Sequence, residues 1–252
     1  MIGRLVLAAL IAGMAAGVIL AGIQHVRITP LILEAEVFEK AAEAAEAPAP
    51  AAAAATTTTP DATAAATTAH DHSAHEHGAE EWEPQDGLQR TLSTSVATLL
   101  AGAGFALALA GVSLLTGIAI TPANGLLWGI CGFLCVTVAT GAGLPPALPG
   151  MPEVGLIGRQ VWWVGTIIAT GVGIYLIATK RTLLPIVAAV VIIALPHIIG
   201  APQPLTHETT VPAGLAAAFA SNTVAAAAVF WSLIGLFLGL ALKKFGKEVY
   251  AT

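Results

Sequence analysis

The sequence predicts an all-α integral membrane protein, a bundle of about six transmembrane helices with a flexible His-rich extracytoplasmic loop between helices 1 and 2. Three observations carry this. The chain is 56% hydrophobic and only 10% charged, with a mean hydropathy of +0.83. Soluble domains carry roughly a quarter charged residues, because a water-facing surface must be built from them. From Thr91 to Pro152 there is no Asp, Glu, Lys or Arg, which reads as a helical hairpin in lipid. Finally, apolar runs recur near the roughly 20 residues that cross about 30 Å of hydrocarbon.

The runs are Leu5–Ile23, Val96–Ile118, Asn124–Leu144, Val161–Thr179, Leu183–Ile199 and Ala213–Leu242. The last is too long for one straight span. Its crossing is placed at Val224–Leu242, with a tilted or broken approach around Ser221-Asn222-Thr223. The chain thus divides into a first transmembrane helix with an acidic extension (1–40), a low-complexity loop (41–90) and a five-helix membrane bundle (91–252). A cleaved signal peptide competes for the first run. Its nineteen residues exceed the usual apolar core of about 7–15, and no clear A-x-A site follows.

Basic residues set the orientation, since Lys and Arg accumulate on the cytoplasmic side. With six spans, Arg4, Lys180, Arg181, Lys243, Lys244 and Lys247 share one face with a single acid, Glu248. The other face receives the other fourteen acids, four basic residues and all seven histidines. Both termini are therefore expected in the cytoplasm. Ala9, Gly13, Gly17 and Ala21 form a smooth stripe, and Gly104/Ala108 and Gly235/Gly239 repeat the spacing that lets helices approach closely in lipid.

Two parts of the outer loop stand apart from its Ala, Pro and Thr tether. His70, His72, His75 and His77, with Asp71, Glu76 and the following glutamates, offer imidazole and carboxylate ligands at one- to three-residue spacing. That set suits a divalent transition metal without choosing among Co, Ni, Zn and Cu. Glu36 and Glu39, three apart, share a helix face just beyond the first span, near His25. His197, in Leu195-Pro196-His197, ends the fifth run, and an ionisable residue at that depth is a functional candidate. His207 follows in the next loop. Cys131 and Cys135 share one face of the third run and read as small core residues. Arg159, Trp162 and Trp163 fit an interfacial belt. No basic stripe marks a nucleic-acid surface, and no H-E-x-x-H or nucleophile–base pair marks an enzyme.

Pro30-Leu31-Ile32 with Ala35-Glu36 and Glu39, Gly158-Arg159-Gln160 with Trp162-Trp163, and Pro196-His197 with Gly200-Ala201-Pro202 resemble the predicted cobalt transporter subunit family, CbtA. The resemblance spans most of the chain and is least regular over 41–83. It implies a bacterial inner-membrane permease component that moves cobalt for cobalamin biosynthesis. It also implies a small single-span partner subunit. On this reading the histidine tract captures Co²⁺ (Ni²⁺ or Zn²⁺ being the alternatives), and an outer site draws on His197, Glu36, Glu39, His25 and His207. The rival reading is a membrane-anchored metal-binding or sensor protein that transports nothing.

Overall fold

No proline interrupts Ile2–Ile23, and Ala, Leu and Ile, which favour or tolerate a helix, fill most of it despite its glycines. In the computed structural model, which describes residues 2–46, 84 and 87–245, this helix does not stop at the end of its apolar run. It passes through one π turn, Gln24–Ile28, into Thr29–Glu46, and the whole is α1. The π turn has a local cause. Pro30 has no N–H, and its ring would press on the carbonyl four residues back. The widened turn, in which the Thr29 N–H donates to the Gln24 carbonyl, lets the helix continue past it.

Five helices follow. They are α2 (Leu88–Thr116), α3 (Gly125–Gly141, with a second π turn at Leu134–Val138), α4 (Leu156–Thr179), α5 (Leu183–Ile199) and α6 (Ala213–Phe245). The expectation of about six transmembrane helices is corrected here. Among the described residues four helices, α1, α2, α4 and α6, are long and apolar enough to cross a membrane. α3 and α5 are shorter apolar helices of 17 residues or about 25 Å, against roughly 30 Å of hydrocarbon. In α3 the apolar run outlasts the helix. Pro145 disfavours helical dihedrals at Leu144, and the chain turns from Ala142 onward. Pro196 and Gly200, at φ +89°, close α5.

Of the tilted or broken approach expected before the last crossing, the break is absent: α6 runs continuously through Ser221-Asn222-Thr223. Ser221 Oγ and Asn222 Nδ2 both donate to the Ala218 carbonyl, at 3.0 and 2.8 Å. The Ser221 and Asn222 side chains are thus satisfied within their own helix and require no break, while the buried Thr223 hydroxyl has no partner among the described residues.

The packing is inverted relative to a soluble bundle. Ala8, Ala9, Ala12 and Ala16 of α1 are buried, while Leu7, Ile11, Met14 and Val18 face outward. Lipid solvates large apolar side chains, so helix association rests on close backbone approach between small residues. Gly13 meets Gly102 of α2, Gly17 meets Leu99, and Gly125 and Gly129 of α3 meet Gly235 and Trp231 of α6. A Cβ on Gly239 would lie 2.6 Å from the Thr121 carbonyl oxygen. The Gly104/Ala108 pair takes no part. Gly104 has open space around it, and Gly102 makes the contact instead.

α4 and α5 form an antiparallel hairpin, with Gly173 against Ile193 and Ala189. It joins the rest where Trp162 lies against Gly143 and where Cys135 lies against Gly171. These contacts order the two ends of the bundle. Arg4, Thr121, Lys180 and Lys243 come to one, which we call the basic end. At the opposite, acidic end a second apolar cluster forms from Ile28 and Ala35 of α1, Leu148, Val211, and Leu215 and Phe219 of α6. Two loops close over it, tied where Thr209 Oγ1 donates to the Gly150 carbonyl at 3.1 Å.

Candidate functional site at the acidic end

The α1 extension carries Glu34, Glu36, Glu39 and Glu43 on a helix that Ala35 seals against the apolar cluster. Ala35 faces inward, and Glu36 and Glu39 beside it are both partly buried. The Arg90 guanidinium clamps Glu36 at the start of α2: Arg90 Nη1 donates to Glu36 Oε2 at 3.2 Å, and Nη2 donates to Oε1. The Arg90 and Glu36 side chains are 29% and 18% exposed, so water still reaches the pair. Glu39 lies against Gly150, whose φ of +76° lets the 142–155 loop turn beneath it.

His25 projects, exposed, from the first π turn. Its neighbour Gln24 is bonded to α2: Thr98 Oγ1 lies 2.8 Å from Gln24 Oε1 and 2.8 Å from the Thr94 carbonyl. One hydroxyl proton cannot serve both acceptors. With the Gln24 amide turned over, its nitrogen donates to Thr98 and the hydroxyl donates to Thr94, which satisfies all three groups.

His197 sits in the last turn of α5 and is exposed, its ring edge-on to Trp162 with centroids 5.8 Å apart at 77°. Trp162 is buried, and its Nε1–H donates to the Pro196 carbonyl at 3.0 Å. It therefore pins α4 to α5 and orients His197; it is not a lipid-facing anchor, as a belt residue would be. His207 is exposed on the loop after α5. The predicted ligands His70, His72, His75 and His77 lie outside the described residues.

The described candidates thus share one end of the molecule but come from different elements. Among the described residues, no three His, Cys, Asp or Glu side chains converge as a metal cluster. What the end offers is a rim of separate carboxylates and imidazoles, ligands that suit a borderline divalent ion. Cys131 and Cys135 are free thiols packed within the bundle, as their apolar surroundings led us to expect. One contributor was missed in the sequence. Arg90 is the last basic residue before the charge-free stretch, which was the available signal for a partner to the acidic extension. Away from this end, in the middle of α4, Thr170 is 5% exposed with its hydroxyl unpartnered among the described residues.

A family model described as "Probable cobalt transporter subunit (CbtA)" matches residues 2–243. Neither a curated protein nor a solved structure matches the chain. The match takes in every described helix, from the first turn of α1 to the last turns of α6, so it covers the fold and the acidic end together. The chain belongs to the CbtA family of cobalt transporter subunits, membrane proteins with a transport role and not enzymes.

Proposed function

We propose that the protein takes up Co²⁺ across a bacterial inner membrane, in the supply line of cobalamin biosynthesis, and that ions reach it at the acidic end. The family match over residues 2–243 is the observation that carries this reading. Ni²⁺ and Zn²⁺ are the alternative cargoes, since imidazole and carboxylate ligands accept all three. His70, His72, His75 and His77 capture the ion. His197, Glu36, Glu39, His25 and His207 make up the rim that receives it. A small single-span subunit completes the transporter, as the family resemblance implies. No G-x-x-x-x-G-K-[ST] loop is present in the chain, so any ATP-driven step would use another polypeptide. The decisive test is accumulation of radiolabelled Co²⁺ by proteoliposomes containing the chain with its partner. Binding without accumulation would replace the transporter by a membrane-anchored metal-binding or sensor protein.

The basic end is assigned to the cytoplasm, because Arg4, Lys180, Arg181, Lys243 and Lys244 gather there. Cysteine introduced at position 60 or 206 should react with an impermeant reagent in intact cells, whereas cysteine at position 181 should not. Protection at 60 would reverse the orientation.

Metal binding by the tract requires neutral imidazole, and a free imidazole protonates at about pH 6.5. Capture should therefore weaken as pH falls below about 6. Deleting 70–77 should reduce uptake when metal is scarce and leave it largely intact when metal is abundant. Loss at every concentration would make the tract part of the transport route itself.

A further inference from the structure

We propose that the groove between α1 and α6 at the basic end is a binding site for one anionic phospholipid. The groove has a volume of about 350 Å³. Ala12 and Ala15 leave a depression on α1 between the larger Ile11 and the α6 residues Phe237 and Leu240, and Lys244 stands at its end. Ile11 and Leu240 are about half exposed, so the groove opens on the face that lipid covers.

The charge at the mouth selects the occupant. Lys243 and Lys244 are both exposed, and Lys244 Nζ lies 5.4 Å from the centre of the Phe245 ring, at the rim of the groove. Among the described residues no Asp or Glu lies at this end; Glu248, the one acid the sequence places on this face, lies outside them. Glu34, Glu36, Glu39, Glu43, Glu153 and Glu208 all belong to the acidic end. An apolar trough running along the helices and ending at cations fits an acyl chain attached to a phosphate. A basic pocket between membrane helices is the recurrent form of such sites, each Lys near the surface adding about five-fold to the preference for an anionic lipid. A zwitterionic headgroup brings its own cation and gains little. A second copy of the chain fits poorly, because two-fold pairing across this groove would bring two sets of Lys243 and Lys244 together. The site does not depend on the transport reading.

Native mass spectrometry of the full chain, released from bilayers of equal phosphatidylglycerol and phosphatidylcholine, tests it. One phosphatidylglycerol should be retained in preference to phosphatidylcholine. Lys244→Gln should cut that preference about five-fold, and Lys244→Arg should keep it. Ala15→Leu fills the trough from an exposed position and should lower retention of phosphatidylglycerol without unfolding the bundle. Equal retention of the two lipids, an unchanged preference in Lys244→Gln, or a dimer that Ala15→Leu dissociates would each overturn the proposal.

Discussion

Gly235→Ala should destabilise the purified protein by about 3 kcal/mol or more, while Gly104→Ala, the same chemical change, should be nearly silent. Added methylenes in a packed interior usually cost about 1–3 kcal/mol, because neighbouring side chains can shift. At Gly235 no side chain can shift. A Cβ there would overlap the Gly125 carbonyl and the Gly129 backbone, and a Cβ on Gly125 would overlap the Gly235 carbonyl in return. Only separation of α3 from α6 relieves the clash. α6 also packs against α1, with Ile234 and Leu238 fully buried between them, so the displacement spreads into the main core. Gly104 is exposed and has open space at its Cβ, so alanine there adds helix propensity and touches nothing. Thermal loss of the monodisperse species in detergent measures both. The double variant Gly125→Ala/Gly235→Ala should cost less than the sum, because the first methyl already parts the helices. A Gly235→Ala protein that melts with wild type would dissolve the close-approach account of the fold.

These glycines mark the boundary of what could be read from the sequence. Composition and the charge-free stretch lead directly to an all-α membrane protein, because both report on the solvent, and the solvent constrains every residue. The number of spanning helices does not follow the same way. Hydropathy measures how apolar a run is, and helix length depends on where the backbone turns. Leu144-Pro145 shortens α3 inside an apolar run, while α4 begins at Leu156, before the run that marks it. The Gly13/Gly17 and Gly235/Gly239 spacings were genuine contacts, and Gly104/Ala108 was not. Spacing puts small residues on one face but does not say which face meets a neighbour. Position at the acidic end was readable for Glu36, Glu39 and His197 from chain polarity alone. The Arg90 clamp and the Trp162 edge were not, since both join residues more than thirty positions apart.

The clamp makes Glu36 the most informative position on the rim. Glu36→Ala should lower the apparent affinity for Co²⁺ in uptake by about 10–100-fold per inserted molecule, the usual cost of disturbing a metal ligand or its support. Arg90→Gln should act in the opposite sense. The guanidinium competes with an incoming cation for the same two oxygens, so removing it leaves the carboxylate charge uncompensated and should tighten the apparent affinity a few-fold. A purely structural strut predicts a different pattern. Glu36→Ala and Arg90→Gln would then both lower the amount of inserted protein, per-molecule uptake would stay at wild type, and the reversal Glu36→Arg/Arg90→Glu would restore abundance. His197 extends the comparison to the other side of the rim. If its imidazole and the Glu36 carboxylate share one ion, His197→Ala should match Glu36→Ala, and the double variant should be little worse than either. Independent, multiplicative losses would mean two separate contacts along the route, and an unaltered His197→Ala would leave that ring as packing for Trp162. Uptake normalised to membrane-inserted protein, measured across the five single and double variants, separates these outcomes.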